Sequence, residues 1–535
     1  MSEIVKFDTR GIERIEIPIR DEDLRNAQDY GKSLISKYLP TIFKTHKQNA
    51  EKVKFFYDFF KGQQDVYHKE RLYEKDQDNN NQIVENHAYR QVNFKTGFLI
   101  GEKRVYTSKD GESSDDLKFL DRYMTDVDFW SKDKDLKEWV FATGIGVTHC
   151  EPRTDIIIPS GKKGLDGKPL MTYADASQGY NKEKESPFNF EVLDPCTNLV
   201  VYSTARNKEP LFCISIAKVD VGDGKTIDIR YKLQIETKYA TFETKSDLNY
   251  VTIDALVFNK PKALRYLPMV EHSINSYRMG LIELNRDLFN SINTLISSVS
   301  DIIVDTSNVI LVFKNVDITA EQVKEMKLAG AIVIKDNSAK GIGADLDTIK
   351  IQIDFNGFDK FYEQRLSKAY DIAGVPIASG QVTSGGDTGQ ARLLGGGWNN
   401  AYTIISNDIT SLLKGDYAVL KLMIMFCRQI PQSPINQLWA SDIDIKYRIN
   451  QNDNFLVKAE GIAQLYAVNL PKEEIIKASG LFSDTNAVAT QWEANDAKIK
   501  AEQQAQSQQL ATSKSKNSGG DTNVDTKKKD NNSKE

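Results

Sequence analysis

Cysteine, histidine and long apolar runs are what this sequence has least of. Its four cysteines, Cys150, Cys196, Cys213 and Cys427, are too scattered for a zinc ribbon and too few to staple a fold of 535 residues. Buried thiols in a reducing compartment are expected instead. The five histidines, His46, His68, His87, His149 and His272, contain no H-E-x-x-H pair. Only His149 and Cys150 adjoin, and neighbours on a strand point to opposite faces, so no metal centre is expected. The longest apolar run, VLKLMIMFC at 419–427, is half of a membrane span of about 18 residues and contains Lys421. The opening stretch MSEIVKFDTRGIERIEIPIRDEDLR has no apolar segment of signal-peptide length, so the expectation is neither secretion nor membrane insertion. Positive charge is not in excess either. With 70 Lys and Arg against 75 Asp and Glu the net charge is −5, which excludes a protein that coats nucleic acid by bulk charge.

What is present is an ordinary globular balance, 40% apolar and 27% charged, long enough for roughly three or four domains. The periodicities place it in the α+β class. Apolar positions at helical spacing predict two helices over 24–62, divided at Pro40 and stopped at Gly62, then helices over 82–100, 115–130 and 133–142, with a short strand at RVYT. From about 145 to 260 the period changes to two, in runs such as NLVVYST and LFCISIAKV, which predicts an antiparallel sheet. A long helix is expected from Ser273, with Leu281, Leu284, Leu288, Ile292, Leu295, Val299 and Ile302 on one stripe and Asn285, Asn290, Asn293, Ser297 and Ser300 on the other side. A small α/β unit follows to Phe355, then a helix over 357–374 closed by Gly374, a glycine-rich loop, and a long helix from Trp398 to about Arg428. Helices continue over 455–510. The residues after 510 have almost no apolar content and are expected to be a solvated tail.

The loop SGQVTSGGDTGQARLLGGGW, 379–398, invites a nucleotide-binding reading because glycine-rich turns cradle phosphates. Gly380 and Gly385 have the spacing of G-x-x-x-x-G-K-[ST], yet Gly386 and Asp387 stand where the lysine and hydroxyl should be, and Asp387 repels phosphate. The element before the loop is a helix, which fails the dinucleotide pattern as well. Acidic pairs such as Asp115-Asp116, Asp301/Asp305 and Asp345/Asp347 are what 75 acidic side chains produce by chance. No nucleophile and base stand at catalytic spacing, so no catalytic residue, no metal and no cofactor is assigned.

Two features resemble the portal proteins of tailed bacteriophages, in particular the siphophage-type branch. FFYDFFKGQQDVYHKERLY is similar to that family's helix with a closing aromatic-x-Gly, and Asn80, Asn81, Ile83, Asn86, Gly97, Phe98, Leu99 and Gly101 match its N-N-x-I-x-x-N and G-[YF]-L-x-G strings. The order of long helix, α/β insertion, helix, glycine-rich loop and long helix is also that of a portal. The likeness covers about 50–430. Arg392 and the glycines at 395–397 depart from its loop pattern.

The resemblance implies a portal fold: helices and a β-rich wing over 1–272, a stem helix over 273–304, a clip over 305–355, a second stem helix over 356–374 and a tunnel loop over 375–397. A wing or channel helix with a return segment over 398–454, a helical crown over 455–510 and a disordered tail over 511–535 complete it. It implies a ring of identical subunits, expected to be a dodecamer, at one capsid vertex of the virion, with assembly in the host cytoplasm. Double-stranded DNA would pass through it during packaging and ejection. The tunnel-loop residues Gln381, Thr383, Asp387, Gln390 and Arg392 would face that DNA, with weak, sequence-blind phosphate contacts. Lys314, Lys324, Lys327, Lys335 and Lys340 of the clip would meet the large terminase and later the head-completion or tail-adaptor proteins. Major capsid protein and scaffold are further implied partners. Leu281, Leu288, Ile292, Leu295, Val299 and Ile302 would pack stem helices of neighbouring subunits, with intramolecular core as the rival reading. The alternatives are a nucleotide-binding phosphotransferase using 380–397 and a monomeric DNA-binding scaffold.

Overall fold

A computed structural model of the chain describes residues 7, 9–64, 81–109, 115–163, 169–174, 176–221, 228–247, 250, 252–306, 310–314, 319, 321–322, 345–349, 354–377, 398–449, 455–468, 470–479, 482 and 485–516. In chain order the elements are β1 (Glu16–Ile17), α1 (Lys32–Phe60), α2 (His87–Ile100), β2 (Val105–Ser108), α3 (Asp115–Asp126) and α4 (Phe129–Thr143). Then come β3 (Ile145–Pro152), β4 (Ile157–Lys163), β5 (Pro169–Tyr173), β6 (Phe188–Leu193), β7 (Asn198–Ser203), β8 (Pro210–Val221), β9 (Asp228–Thr237), β10 (Ala240–Ser246), β11 (Val257–Pro261) and β12 (Met269–Ser273). The rest are α5 (Leu281–Thr306), β13 (Ile310–Lys314), β14 (Asp345–Ile349), α6 (Phe355–Ala373), α7 (Trp398–Gln429), β15 (Ile443–Lys446), α8 (Phe455–Ala467), α9 (Lys472–Ser479) and α10 (Thr485–Lys516). The α+β class holds.

The chain forms two compact units. The larger comprises Met1–Arg104, Lys118–Ala440 and Tyr447–Asn450. Its main sheet runs β1-β7-β8-β9-β10-β11, antiparallel except that β1 lies parallel to β7, and a second sheet runs β12-β3-β6. The alternating runs of 145–260 become strands as expected: one face of the sheet buries Phe212, Ile214 and Ile216 of β8 with Leu233 and Ile235 of β9, while Val200 and Cys213 on the other face pack with Leu267 and Met269. Helix α1 serves two cores. Its first half, through Ile35, Leu39, Ile42 and Phe43, packs on the large sheet. Its second half, through Phe56, Phe59 and Phe60, packs with α2, α4, α5, α6 and α7.

The helix expected over 82–100 begins at His87, where Asn86 caps it, and 82–86 are extended; those expected over 115–130 and 133–142 are Asp115–Asp126 and Phe129–Thr143. Three further boundaries differ from the sequence reading. Pro40 does not divide 24–62; α1 runs through it. Proline removes one backbone bond, and a helix gripped on both sides of that point by buried Ile35, Leu39, Ile42 and Phe43 tolerates the loss. The long helix begins at Leu281 rather than Ser273, because Met269–Ser273 is a strand paired with β3 in the register Met269↔His149 to Ser273↔Ile145. A close backbone crossing lies between the two. Gly144 has φ +96°, and a Cβ there would sit 2.5 Å from the Arg278 carbonyl oxygen, while one on Gly280 would sit 2.4 Å from that of Ala142. The third difference is at the end of the chain, where α10 continues to Lys516 and takes in the first six residues of the expected tail.

The smaller unit comprises Val105–Leu117, Ser441–Lys446 and Gln451–Glu535. In it β2 pairs antiparallel with β15, and Lys109 N donates to Asp442 O at 2.8 Å. Ile475 and Ile476 of α9 are buried, Tyr466 stacks on Trp492 with centroids 5.3 Å apart, and Lys472 pairs with Asp496. Among the described residues no helix is long and apolar enough to cross a membrane, and no group of His, Cys, Asp or Glu has the arrangement of a metal site.

Candidate functional site

The polar side of α5, opposite its apolar stripe, points inward. Asn285, Asn290, Asn293, Ser297 and Asp301 are all buried. Three of them, four residues apart, hold an extended segment, 81–86. The Asp301 carboxylate accepts from Asn81 N at 2.8 Å and from Asn81 Nδ2 at 2.9 Å. Ser297 Oγ accepts from Ile83 N at 3.0 Å, and Asn293 Oδ1 accepts from Glu85 N at 3.0 Å. The match is geometric: four residues of helix rise about 6 Å and two residues of extended chain about 6.6 Å. A helix offering one acceptor per turn thus satisfies every second N–H of a strand that has no sheet partner.

Asn86 closes this strap. Its side chain caps α2 by accepting from Tyr89 N at 3.0 Å, and donates to Phe60 O at the end of α1 at 2.9 Å. Gln64 links the two systems, donating to Asn86 Oδ1 at 3.0 Å and accepting from Asn293 Nδ2 at 2.7 Å. On the other side the strap meets α6: Tyr362 donates to Glu85 Oε2 at 2.7 Å, and His87 Nε2 lies 2.8 Å from the same oxygen. Burial first, and then the Glu85 contact, raise the Tyr362 hydroxyl well above its usual range, so it stays a donor. Asn285 donates to Gln91 Oε1 at 3.0 Å and to Ala369 O at 3.1 Å. The two helices α5 and α6 are therefore joined through the segment that carries the N-N-x-I-x-x-N string, and Asn81, Ile83 and Asn86 each have a bonding role in it. Asn80 lies outside the described residues. Phe98 and Leu99 are core residues; a Cβ on Gly97 would meet nothing within 4 Å.

The apolar stripe of α5 changes character along its length. Leu281 and Ile292 are buried in the chain's own core, which withdraws them from the set expected to face a neighbouring subunit. The reason is axial: the first turns are enclosed by α2, α4 and α6, a distinction that helical periodicity does not encode. Leu288, Leu295, Val299 and Ile302 are half-buried, and Leu284 and Ile303 are exposed. On α6, Phe355, Phe361 and Ile372 are 49%, 44% and 49% exposed.

The ends of the glycine-rich stretch are held together. Asp354 caps α6 by accepting from Gly357 N at 3.0 Å, and Gly374, at φ +63°, terminates it as its sequence position predicts. Val375 is buried, and Asn400 of α7 donates to Asp371 O and Oδ1, both at 3.1 Å. Trp398 and Tyr402 enter an aromatic cluster with Phe94 and Phe98. The loop residues Gln381, Thr383, Asp387, Gln390 and Arg392 lie outside the described residues, as do Lys324, Lys327, Lys335 and Lys340. Lys314 ends β13, opposite Asp345 of β14.

A second buried polar system went unnoticed in the sequence. Lys95 Nζ is 2.7 Å from Asp408. Two turns along α7, Asp416 lies 2.8 Å from Arg104 and 3.2 Å from Lys137, which both also meet Asp133, and Tyr447 donates to Asp416. Burial opposes the Asp416 charge, but Arg104 and Lys137 outweigh it and hold the carboxyl well below the usual range. Beside it, burial and then Lys137 push His272 down to about 3. The signal available was two aspartates, eight residues apart, on the apolar side of α7.

Comparison with known families decides what this arrangement belongs to. The model of the family described as "Phage portal protein, SPP1 Gp6-like" matches residues 40–509. The chain belongs to the SPP1 Gp6-like phage portal proteins. As a portal protein it acts in packaging of phage DNA, at the capsid vertex, and is a structural component rather than an enzyme, which removes the phosphotransferase reading of 380–397. A search of curated proteins found no match.

Proposed function

We propose that this portal protein assembles as a ring, twelve subunits in the family's manner, whose central channel passes double-stranded DNA inward during packaging and outward during ejection. The observation that carries this reading is the division of labour on α5. Asn293, Ser297 and Asp301 are taken up inside the chain by the strap, whereas Leu295, Val299 and Ile302 are only half-buried among the described residues and Phe355, Phe361 and Ile372 of α6 stay largely exposed. Large uncovered apolar side chains on a packed helix pair mark an association surface. Leu288, Leu295, Val299 and Ile302 are the stem positions that pack against the next subunit.

In the same reading 375–397 is the tunnel loop. Its two ends are fixed at Val375 and at Trp398 with Asn400. Gln381, Thr383, Gln390 and Arg392 touch passing phosphates weakly, Asp387 keeps the contact from becoming a grip, and the chain's charge of −5 suits a conduit. The clip, with Lys314, Lys324, Lys327, Lys335 and Lys340, receives the large terminase, which supplies the motor energy, and afterwards the head-completion proteins. Scaffold and major capsid protein meet the outer surface.

Negative-stain imaging of the purified protein tests the core of this. A monodisperse ring with a central hole is expected, and Val299→Asp with Ile302→Asp should reduce it to monomers. A chain that stays monomeric at every protein concentration, and in the virion, overturns the ring and leaves the monomeric-scaffold alternative.

A further inference from the structure

A cavity of about 440 Å³ opens in the larger unit where the Ser411–Lys421 stretch of α7 faces β7, β8 and β12. Its walls have two chemistries. Val200, Pro210, Leu267 and Met269 form an apolar side, and Tyr202 and Tyr266 are placed among them. The charged groups sort by whether they are already paired. Glu209 is held by Lys238 at 2.6 Å, Glu271 by Arg278 at 2.6 Å, and Lys208 by Glu16 at 2.9 Å. That leaves Arg14, Lys414 and Lys421 with no ion pair among the described residues. Arg14 Nε is buried without a hydrogen-bond partner there, its guanidinium lying 5.1 Å from the centre of the Tyr202 ring. Lys414 and Lys421 are seven residues apart, two turns of α7, and so project from one face.

Three uncompensated cations around a concave, partly apolar chamber select an anion that also carries apolar groups. A duplex does not fit this description: its phosphates lie along a convex rod and bring nothing to an apolar floor, and recognition of its backbone uses cations spread over an open surface. The volume lies in the range of sites that enclose a few side chains. We propose that this cavity is a docking site for an acidic peptide segment of a partner protein. Its carboxylates meet Lys414, Lys421 and Arg14, and one apolar side chain is seated against Val200, Leu267 and Met269. Nothing in it depends on the ring or on the DNA channel.

The test uses the full-length protein and a fluorescein-labelled peptide, Glu-Glu-Leu-Phe-Glu-Glu, followed by anisotropy at low and moderate salt. Saturable binding is expected, weakening as salt rises. It should fall about tenfold or more for the peptide with Gln in place of Glu, and equally for the Lys414→Glu/Lys421→Glu variant. Both lysines are exposed, so an unchanged melting temperature shows that this variant is folded. If the double variant does not fold, Lys421→Gln alone should weaken binding in the same direction. The proposal is overturned by absence of peptide binding up to about 1 mM, by charge reversal that leaves binding unchanged, or by a short DNA duplex that displaces the peptide with equal affinity.

Discussion

Helices α5 and α7 are similar in length and both bury polar side chains, yet they bury different kinds. α5 buries mostly neutral amides and a hydroxyl, Asn285, Asn293 and Ser297, with one aspartate, Asp301, near its end. α7 buries carboxylates, Asp408 and Asp416, against Lys95, Lys137 and Arg104. The neutral groups read a backbone: they place an extended segment at one register by accepting its N–H groups. The charged groups read other side chains, and fix α7 against α2 and α4 at two points along its length. The first arrangement should respond weakly to pH and salt, the second strongly to any change that unbalances its charge.

The largest effect expected from breaking this contrast is at Asp416. Asp416→Ala leaves Arg104 and Lys137 buried with only Asp133 between them, a loss of about 3–5 kcal/mol. Urea unfolding of the larger unit should show a strongly lowered midpoint. A shift below about 1 kcal/mol would mean that water already reaches the cluster.

Acid comes next. Burial holds His272 down to about 3 and His46 down to about 4, from an ordinary value of 6.5. Between these values and 6.5 the folded chain binds fewer protons than the unfolded one, so stability is complete above about pH 6.5 and declines as pH falls towards 4. Each histidine accounts for about 2 kcal/mol between pH 7 and pH 5. Asp416, held low, adds its own decline only below the ordinary carboxylate value. Unfolding midpoints measured from pH 7.5 to pH 5 should fall steadily, and His272→Asn should flatten the slope. A flat profile in the unaltered protein would refute the buried neutral imidazoles.

The strap gives a smaller effect. Asn293→Ala removes the acceptor of Glu85 N and the donor to Gln64, costing about 1–3 kcal/mol. Hydrogen exchange should report it locally, as faster exchange at the Glu85 and Ile83 amides while the β8 and β9 amides are unchanged. Uniform acceleration would show that the segment is not an independent strap.

The same two helices show what sequence could and could not say. Period-two runs and helical stripes were legible because burial on one face imposes them, and so was the stop at Gly374. The strand at 269–273 went unassigned, apart from Ser273, which was given to the helix that follows, because five residues are too few to establish a period. What the helical stripe left open was the direction of the polar side of α5, which faces inward. Its chemistry held the answer: a wetted helix such as α10 carries Glu, Lys and Gln, whereas Asn293, Ser297 and Asp301, short and one turn apart, are built to bond to backbone. The ion cluster joins residues more than 300 positions apart, and no local pattern encodes that. The strap's bonding partners likewise come from 81–86 and 293–301, which only the fold brings together.

The least perturbing change should be the removal of an entire charge pair. Lys95 and Asp408 are both buried, and burial, partly offset by the partner, lowers the first and raises the second, so each charge persists chiefly because the other is there. Lys95→Met alone or Asp408→Leu alone strands its partner and should cost about 3–5 kcal/mol, whereas the double replacement supplies apolar groups to an apolar site and should lie within about 1 kcal/mol of the original. A double-mutant cycle by urea unfolding measures the difference as a coupling energy. The Asn293–Gln64 pair, treated the same way with alanine and methionine, should give a coupling nearer 1 kcal/mol, since each neutral group leaves a smaller uncompensated penalty. If the amide pair coupled as strongly as the ion pair, the distinction between a helix that reads backbone and one that reads charge would fail, and α5 would have to be regarded as locked in the same way as α7.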